Sequence, residues 1–187
     1  MFAARAPLAP ATVMLKKRRR LLLAGLACCP LSGVPQSLRL EARPLSFYHT
    51  HTGERLAVTY FAEGSYIPAA IGEIERLLRD FRTGEVHDID VQLLDTLYVL
   101  ADRCAGRTFE VISGYRSATT NEKLRAATEG VATNSLHLAG RAVDVRLSGV
   151  DTARLRDIAV ELALGGVGYY PQSDFVHLDT GQVRSWG

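Results

Sequence analysis

Two short segments near the C-terminus alternate between apolar and polar side chains and restrict the fold most. They are RAVDVRL, residues 141–147, and FVHLD, residues 175–179. A period of two is that of a β-strand, whose successive side chains point to opposite faces of a sheet. If the two strands are neighbours, Asp144 and His177 lie on one face, and His137 reaches them from the loop before the first strand.

The remaining pattern mixes helices with strands. Residues 45–61 predict a β-hairpin around Thr52-Gly53, and apolar residues at helical spacing predict an amphipathic helix over residues 67–81. Asp90 and Asp151 are predicted to begin two further helices as N-caps. Additional strands are expected at TFEVISGY and GVGYY, and another helix at TTNEKLRAAT. Short connections between such elements favour an α+β domain over a doubly wound sheet.

The N-terminus has the composition of a leader. Residues 1–36 contain six basic and no acidic residues, and KKRRR is followed by the apolar run LLLAGLACCPLSG. A basic segment, a short apolar run and then small residues are typical of a cleavable secretory signal. The paired arginines resemble a twin-arginine signal. We therefore predict a signal peptide over residues 1–36, export to the periplasm by the twin-arginine route, and a mature domain over residues 37–187 with no transmembrane span.

The charge of the mature domain excludes a class of partners. Without the six basic residues of the leader, 16 of the 22 basic residues remain against 20 acidic ones. A basic surface for phosphate binding is therefore absent, and no nucleic-acid partner is expected. Cys104 is the single cysteine left, so the mature domain has no internal disulfide. No unusual apolar stripe indicates an obligate partner, so a monomer is expected.

Two imidazoles and a carboxylate with an open fourth position are the ligands of a catalytic zinc ion, which lowers the pKa of bound water and polarises a carbonyl. From spacing alone, a second interpretation stays open, in which His137 and His177 are ordinary packed or surface side chains. His49 and His51 are expected to face solvent at the tip of the hairpin.

The residue types in the motifs are more specific evidence than the spacing of the two histidines and the aspartate. SLHLAGRAVD, residues 135–144, resembles the S-x-H-x-x-G-x-A-x-D motif of the zinc D-Ala-D-Ala carboxypeptidase/hedgehog-like peptidase superfamily. His177 matches the late histidine of that family, and SGYRS, residues 113–117, is similar to its upstream arginine segment. HTHTGE, RTGEVHDID and GGVGYYPQSDFVHLDTG resemble the bacterial murein endopeptidase K branch, over roughly residues 38–187.

The resemblance implies a fold and a set of roles. The fold would be a small antiparallel sheet flanked by helices, and His137, Asp144 and His177 would bind Zn²⁺. Arg116 would stabilise the oxyanion of the reaction and contact substrate, the alternative being a surface salt bridge. Ser135 would hydrogen-bond a ligand or the substrate, or else stabilise a turn.

Two carboxylates are candidates for the general base. Asp174 occupies the position at which many relatives carry a glutamate, three residues before the last histidine. Asp179 lies on the same strand face as His177 and is favoured, although it would alternatively orient His177 without accepting a proton.

The function implied is that of an exported zinc endopeptidase that hydrolyses peptide cross-links between the stem peptides of peptidoglycan during growth or remodelling of the cell wall. A carboxypeptidase that trims stem peptides is the nearest enzymatic alternative. A non-catalytic, zinc-containing module that binds the cell wall is the other.

Overall fold

The computed structural model describes residues 41–105, 107–127 and 132–187, so the predicted signal peptide lies outside the described residues. The strands within these ranges are β1 (Arg43–His49), β2 (Arg55–Ala62), β3 (Ser65–Tyr66), β4 (Phe109–Ser113), β5 (Ala142–Leu147), β6 (Gly166–Tyr170), β7 (Phe175–Asp179) and β8 (Arg184–Trp186). The helices are α1 (Pro68–Leu77), α2 (Val91–Arg103), α3 (Ala118–Ala127) and α4 (Thr152–Leu162), with a short 3-10 helix at Leu136–Ala139.

The strands form one mixed sheet in the order β3-β2-β1-β4-β5-β7-β6-β8. An α+β domain is thereby confirmed, but the expectation of a small antiparallel sheet is wrong. The sheet has eight strands, and two neighbouring pairs, β1 with β4 and β6 with β8, are parallel. The hairpin places β2 on one edge of β1, and the chain returns to the other edge as β4 only after α1 and α2. A crossover of that length allows parallel pairing.

Local signals set the start of two helices. The Asp90 carboxylate accepts a hydrogen bond from the Gln92 backbone N–H at 3.0 Å and begins α2. Asp151 caps α4 in the same way, through the Ala153 N–H at 2.9 Å. Both predicted N-caps are confirmed. Helix α1 ends at Leu77, before its predicted end at Phe81, because the chain turns around the buried Asp80.

The core lies between the sheet and its helices. Helices α1, α2 and α4 pack against β2, β1 and β6, respectively. The predicted inward face of β5 and β7 is buried, and its members are Val143, Val145, Leu147, Val176 and Leu178. The opposite face of the same two strands carries Asp144 and His177, which are direct partners across the antiparallel pair.

In the part of the chain that the structure describes, no helix is long and apolar enough to cross a membrane.

Candidate metal centre

Three predicted ligand atoms converge on one point on this face of the sheet. Asp144 Oδ1 lies 2.8 Å from His177 Nδ1 and 3.2 Å from His137 Nε2. The two imidazole nitrogens are 3.2 Å from each other. His137 and Asp144 are buried and His177 is nearly so. The antiparallel register of β5 and β7 therefore brings together the residues that alternation predicted on one face.

The 3-10 helix fixes the His137 ring. Ser135 caps this helix, and its hydroxyl oxygen accepts a hydrogen bond from the His137 backbone N–H at 3.4 Å. His137 Nδ1 lies 2.7 Å from the carbonyl oxygen of Gly114, so the proton sits on Nδ1 and is donated to that oxygen. His137 Nε2 is then the atom with a free lone pair, and it points towards Asp144 and His177.

The glycine of the predicted motif has a steric role. Gly140 ends the 3-10 helix in the left-handed region with φ of 63°, where glycine is favoured. A Cβ atom at this position would collide with the carbonyl oxygen of Asp88. The close approach of these two backbone segments holds the His137 turn against the loop before α2.

Asp179 fixes the ring of His177. Its Oδ2 lies 3.1 Å from His177 Nε2, which leaves His177 Nδ1 to face Asp144. The same carboxylate accepts hydrogen bonds from both terminal nitrogens of Arg184, at 2.7 and 3.1 Å, and from the backbone N–H groups of Gly166 and Gly181. The hydrogen-bond acceptor capacity of this buried carboxylate is therefore saturated. Its geometry favours the alternative in which Asp179 orients His177.

Asp174 faces away from this centre. Its carboxylate accepts hydrogen bonds from Arg146 Nη1 at 3.1 Å and from the Thr152 hydroxyl at 2.9 Å. Its neighbours Ser173 and Phe175 line the cleft above the three ligands, whereas Asp174 is not among the lining residues. This placement argues against Asp174 as the general base.

The centre favours positive charge between its ligands. Burial alone would raise the pKa of Asp144, but His137 and His177 hold that pKa far below its ordinary value. Burial would lower the pKa of His177, yet hydrogen bonds to Asp144 and Asp179 outweigh it and raise the pKa to about 9. Such a centre takes up either a proton or a metal cation, and the two compete.

Arg116 lies beside the ligands. Its side chain is 11% exposed, and its Nη2 is 3.3 Å from both Asp144 Oδ2 and Ser113 Oγ. Its Nε is buried and has no hydrogen-bond partner among the described residues. Burial lowers the pKa of the guanidinium and Asp144 opposes that shift. Arg116 is thus a buried cation at the centre, not the surface salt bridge of the alternative.

An open cleft of about 810 Å³ lies above the centre, and it contains residues that sequence reasoning did not assign. The Trp186 ring is 5.4 Å from the His177 ring, and its indole N–H donates to the Tyr170 hydroxyl at 3.1 Å. Trp186 and Arg184 both belong to β8, a strand that was not predicted. Three exposed residues without alternation give too weak a signal for a strand.

Of the two histidines expected to face solvent at the hairpin, His51 is exposed as predicted, but the expectation for His49 is wrong. His49 is completely buried, and burial lowers its pKa to about 4. His51 stacks on Phe81 with ring centroids 4.2 Å apart and lines the cleft. Alternation in FYHTH placed both histidines on one side of the hairpin, but only the pairing of β1 with β4 shows that this side is covered at His49 and not at His51.

An α+β domain that brings two histidines and an aspartate to the base of an open cleft has the ligand set of a hydrolytic zinc enzyme. Residues 38–186 match the family Peptidase_M15_2, described as peptidoglycan L,D-endopeptidase MepK. The chain belongs to this family of peptidases, and its His137, Asp144 and His177 could hold a metal ion.

Similar curated proteins carry the same description. A probable peptidoglycan L,D-endopeptidase MepK from Haemophilus influenzae is 40% identical over 177 residues, covering 91% of this chain and 95% of the relative. The peptidoglycan L,D-endopeptidase MepK of Escherichia coli K12 is 40% identical over 145 residues, covering 77% of this chain and 80% of the relative.

Proposed function

We propose that this protein is a zinc-dependent endopeptidase that hydrolyses L,D peptide cross-links in peptidoglycan. The observation that carries the proposal is the convergence of His137, Asp144 and His177 at the base of a cleft open to a peptide. The relatives, named for this activity and similar over most of their length, support the same bond type for this chain.

The donor set fits zinc. Zn–N and Zn–O bonds of about 2.0–2.1 Å in a tetrahedron separate two ligand atoms by about 3.3 Å. The three ligand atoms are 2.8 to 3.2 Å apart, close to that spacing. Each histidine also has a hydrogen-bond partner for its second ring nitrogen, at Gly114 and Asp179. When bound here, zinc supplies Lewis acidity for attack by water on the scissile carbonyl.

The chain's own side chains supply the remaining functions. Arg116 holds its Nη2 beside Asp144 and has a buried Nε without a partner among the described residues, and it stabilises the negative charge that develops on the carbonyl oxygen. Ser135 lines the cleft while its oxygen accepts from His137, so its hydroxyl proton can be donated to substrate. Asp179 acts through His177 as a positioning residue.

Export of this protein follows from the same proposal. Peptidoglycan lies outside the cytoplasmic membrane, so an enzyme that cleaves it works in the periplasm. We propose that residues 1–36 direct export by the twin-arginine route and that residues 37–187 act as a monomer.

A digest of cross-linked peptidoglycan tests the proposal. The domain of residues 37–187 is incubated with muropeptides in the presence of zinc or of a chelator, and products are separated by chromatography and identified by mass. We expect cross-linked dimers to become monomers only with zinc, with product masses that identify an L,D bond. Loss of terminal residues alone would indicate a carboxypeptidase, and binding to the wall without cleavage a non-catalytic module.

Substitution of Asp179 should weaken zinc binding. In Asp179→Ala the His177 ring loses its hydrogen-bond acceptor and Arg184 loses its ion pair, so we expect zinc affinity to fall by about 10-fold to 100-fold. Competition with a chromogenic chelator measures that affinity. The matched control is Asp174→Ala, which should leave zinc affinity unchanged and kcat within about 2-fold. A collapse of kcat in Asp174→Ala would instead restore Asp174 as the general base.

A further inference from the structure

Arg82 places at the cleft a guanidinium group that has no carboxylate partner among the described residues. Three arginines of the described residues line the cleft, namely Arg82, Arg116 and Arg184. Arg116 pairs with Asp144, and Arg184 pairs with Asp179. No carboxylate within the described ranges forms an ion pair with Arg82. Of the three guanidinium groups, that of Arg82 is therefore the one without a carboxylate partner among the described residues.

The Arg82 side chain is held in place by aromatic contacts. Its guanidinium carbon lies 4.2 Å from the centroid of the Phe81 ring. His51 stacks on the same ring at a centroid distance of 4.2 Å and an interplanar angle of 9°. Stacking on a packed aromatic ring restricts the guanidinium and lowers the entropy lost when it binds a ligand.

A buried carboxylate links Arg82 to the metal centre. Asp80 is 1% exposed, and its Oδ1 accepts a hydrogen bond from the Arg82 backbone N–H at 2.9 Å. Its Oδ2 accepts from the backbone N–H and the hydroxyl of Ser117, at 3.0 and 2.6 Å. Ser117 directly follows Arg116 in the chain. Asp80 thus fixes the segments that carry both arginines relative to each other.

We propose that Arg82 binds a free carboxylate of the substrate peptide while the scissile amide lies at Arg116 and the metal centre. An arginine fork binds a carboxylate through two parallel N–H···O bonds, so Arg82 would select acidic stem peptides. The proposal rests on the proposed function for the identity of the peptide.

Steady-state kinetics with pairs of substrates that differ only at one carboxylate test this role. Each free carboxylate of a synthetic cross-linked peptide is replaced in turn by a carboxamide. With the unsubstituted protein we expect one replacement to raise KM by about 10-fold, as for loss of a charge-assisted pair. In Arg82→Gln the KM for the peptide with all its carboxylates should already be about 10-fold higher. Replacing the same carboxylate by a carboxamide should then not raise the KM of this variant further, and its kcat should stay within about 2-fold of that of the unsubstituted protein.

Arg103→Gln is the matched control. Arg103 is an exposed arginine on α2 and does not line the cleft, so this variant should retain the full preference for the carboxylate. Retention of the preference in Arg82→Gln would overturn the proposal, as would a fall in kcat at unchanged KM.

Binding separates this proposal from the proposed function. Trp186 is the single tryptophan and lines the cleft, so its fluorescence reports binding of an uncross-linked acidic stem peptide that contains no scissile bond. We expect the dissociation constant to rise about 10-fold in Arg82→Gln. If cross-links are not cut but this difference appears, the carboxylate site stands and the proposed function fails. If cross-links are cut and Arg82→Gln binds normally, the proposed function stands and the carboxylate site fails.

Discussion

His177→Ala should lower kcat/KM on a cross-linked peptide by about 10⁴-fold and remove stoichiometric zinc. The substitution removes one of three proposed protein ligands, and the bound metal is lost with it. A metal ion acting as a Lewis acid stabilises the transition state by several kcal/mol, and each 1.36 kcal/mol corresponds to about tenfold in rate. Peptide hydrolysis followed by chromatography gives the rate, and metal analysis of the dialysed protein gives the zinc content.

The control for this experiment is another histidine. His87 stacks on Tyr115 and does not line the cleft, so His87→Ala should keep both zinc and activity. Full activity in His177→Ala, or equal losses in the two variants, would contradict the proposed ligand set. Zinc binding by His177→Ala at normal stoichiometry would show that other side chains hold the metal.

Arg116→Ala should lower kcat by about 10² to 10³-fold, with a much smaller change in KM. The reason is that charge develops on the carbonyl oxygen only as the reaction proceeds, so a donor directed at that oxygen contributes more to the transition state than to substrate binding. Steady-state kinetics over a range of peptide concentrations separates kcat from KM.

Arg116→Lys supplies the comparison, because it keeps the charge and loses the planar fork. Its kcat should lie between those of the unsubstituted protein and Arg116→Ala. Since Arg116 also contacts Asp144, zinc content must be measured in both variants and is expected to be unchanged. A normal kcat in Arg116→Ala with zinc bound would show that this guanidinium has no part in the reaction.

Alternation in two strands was sufficient to predict the core of the site. The faces of RAVDVRL and FVHLD placed Asp144 and His177 together, and the register pairs these two residues directly. The motif around His137 added the third predicted ligand, which reaches the face from the 3-10 helix. These features depend on local periodicity and on short connections, and both are readable from sequence.

The rest of the site depends on contacts between distant segments. Neither the parallel pairing of β1 with β4 nor the addition of β8 beside β6 has a local signature. The burial of His49, the placement of Trp186 over His177 and the saturation of Asp179 by Arg184 all follow from those pairings. Asp179 was therefore correctly placed by alternation, while its hydrogen-bond donors were not predictable.

The direct pairing of Asp144 with His177 has a consequence for how related chains can diverge. Because side chains in a strand alternate, deleting one residue within β7 would turn His177 to the other face of the sheet. The segment from Ser148 to Gly165, which contains α4, is under no such restriction, since lengthening a connection costs little free energy. Relatives should therefore vary in the length of this segment while the spacing within each of the two strands stays fixed.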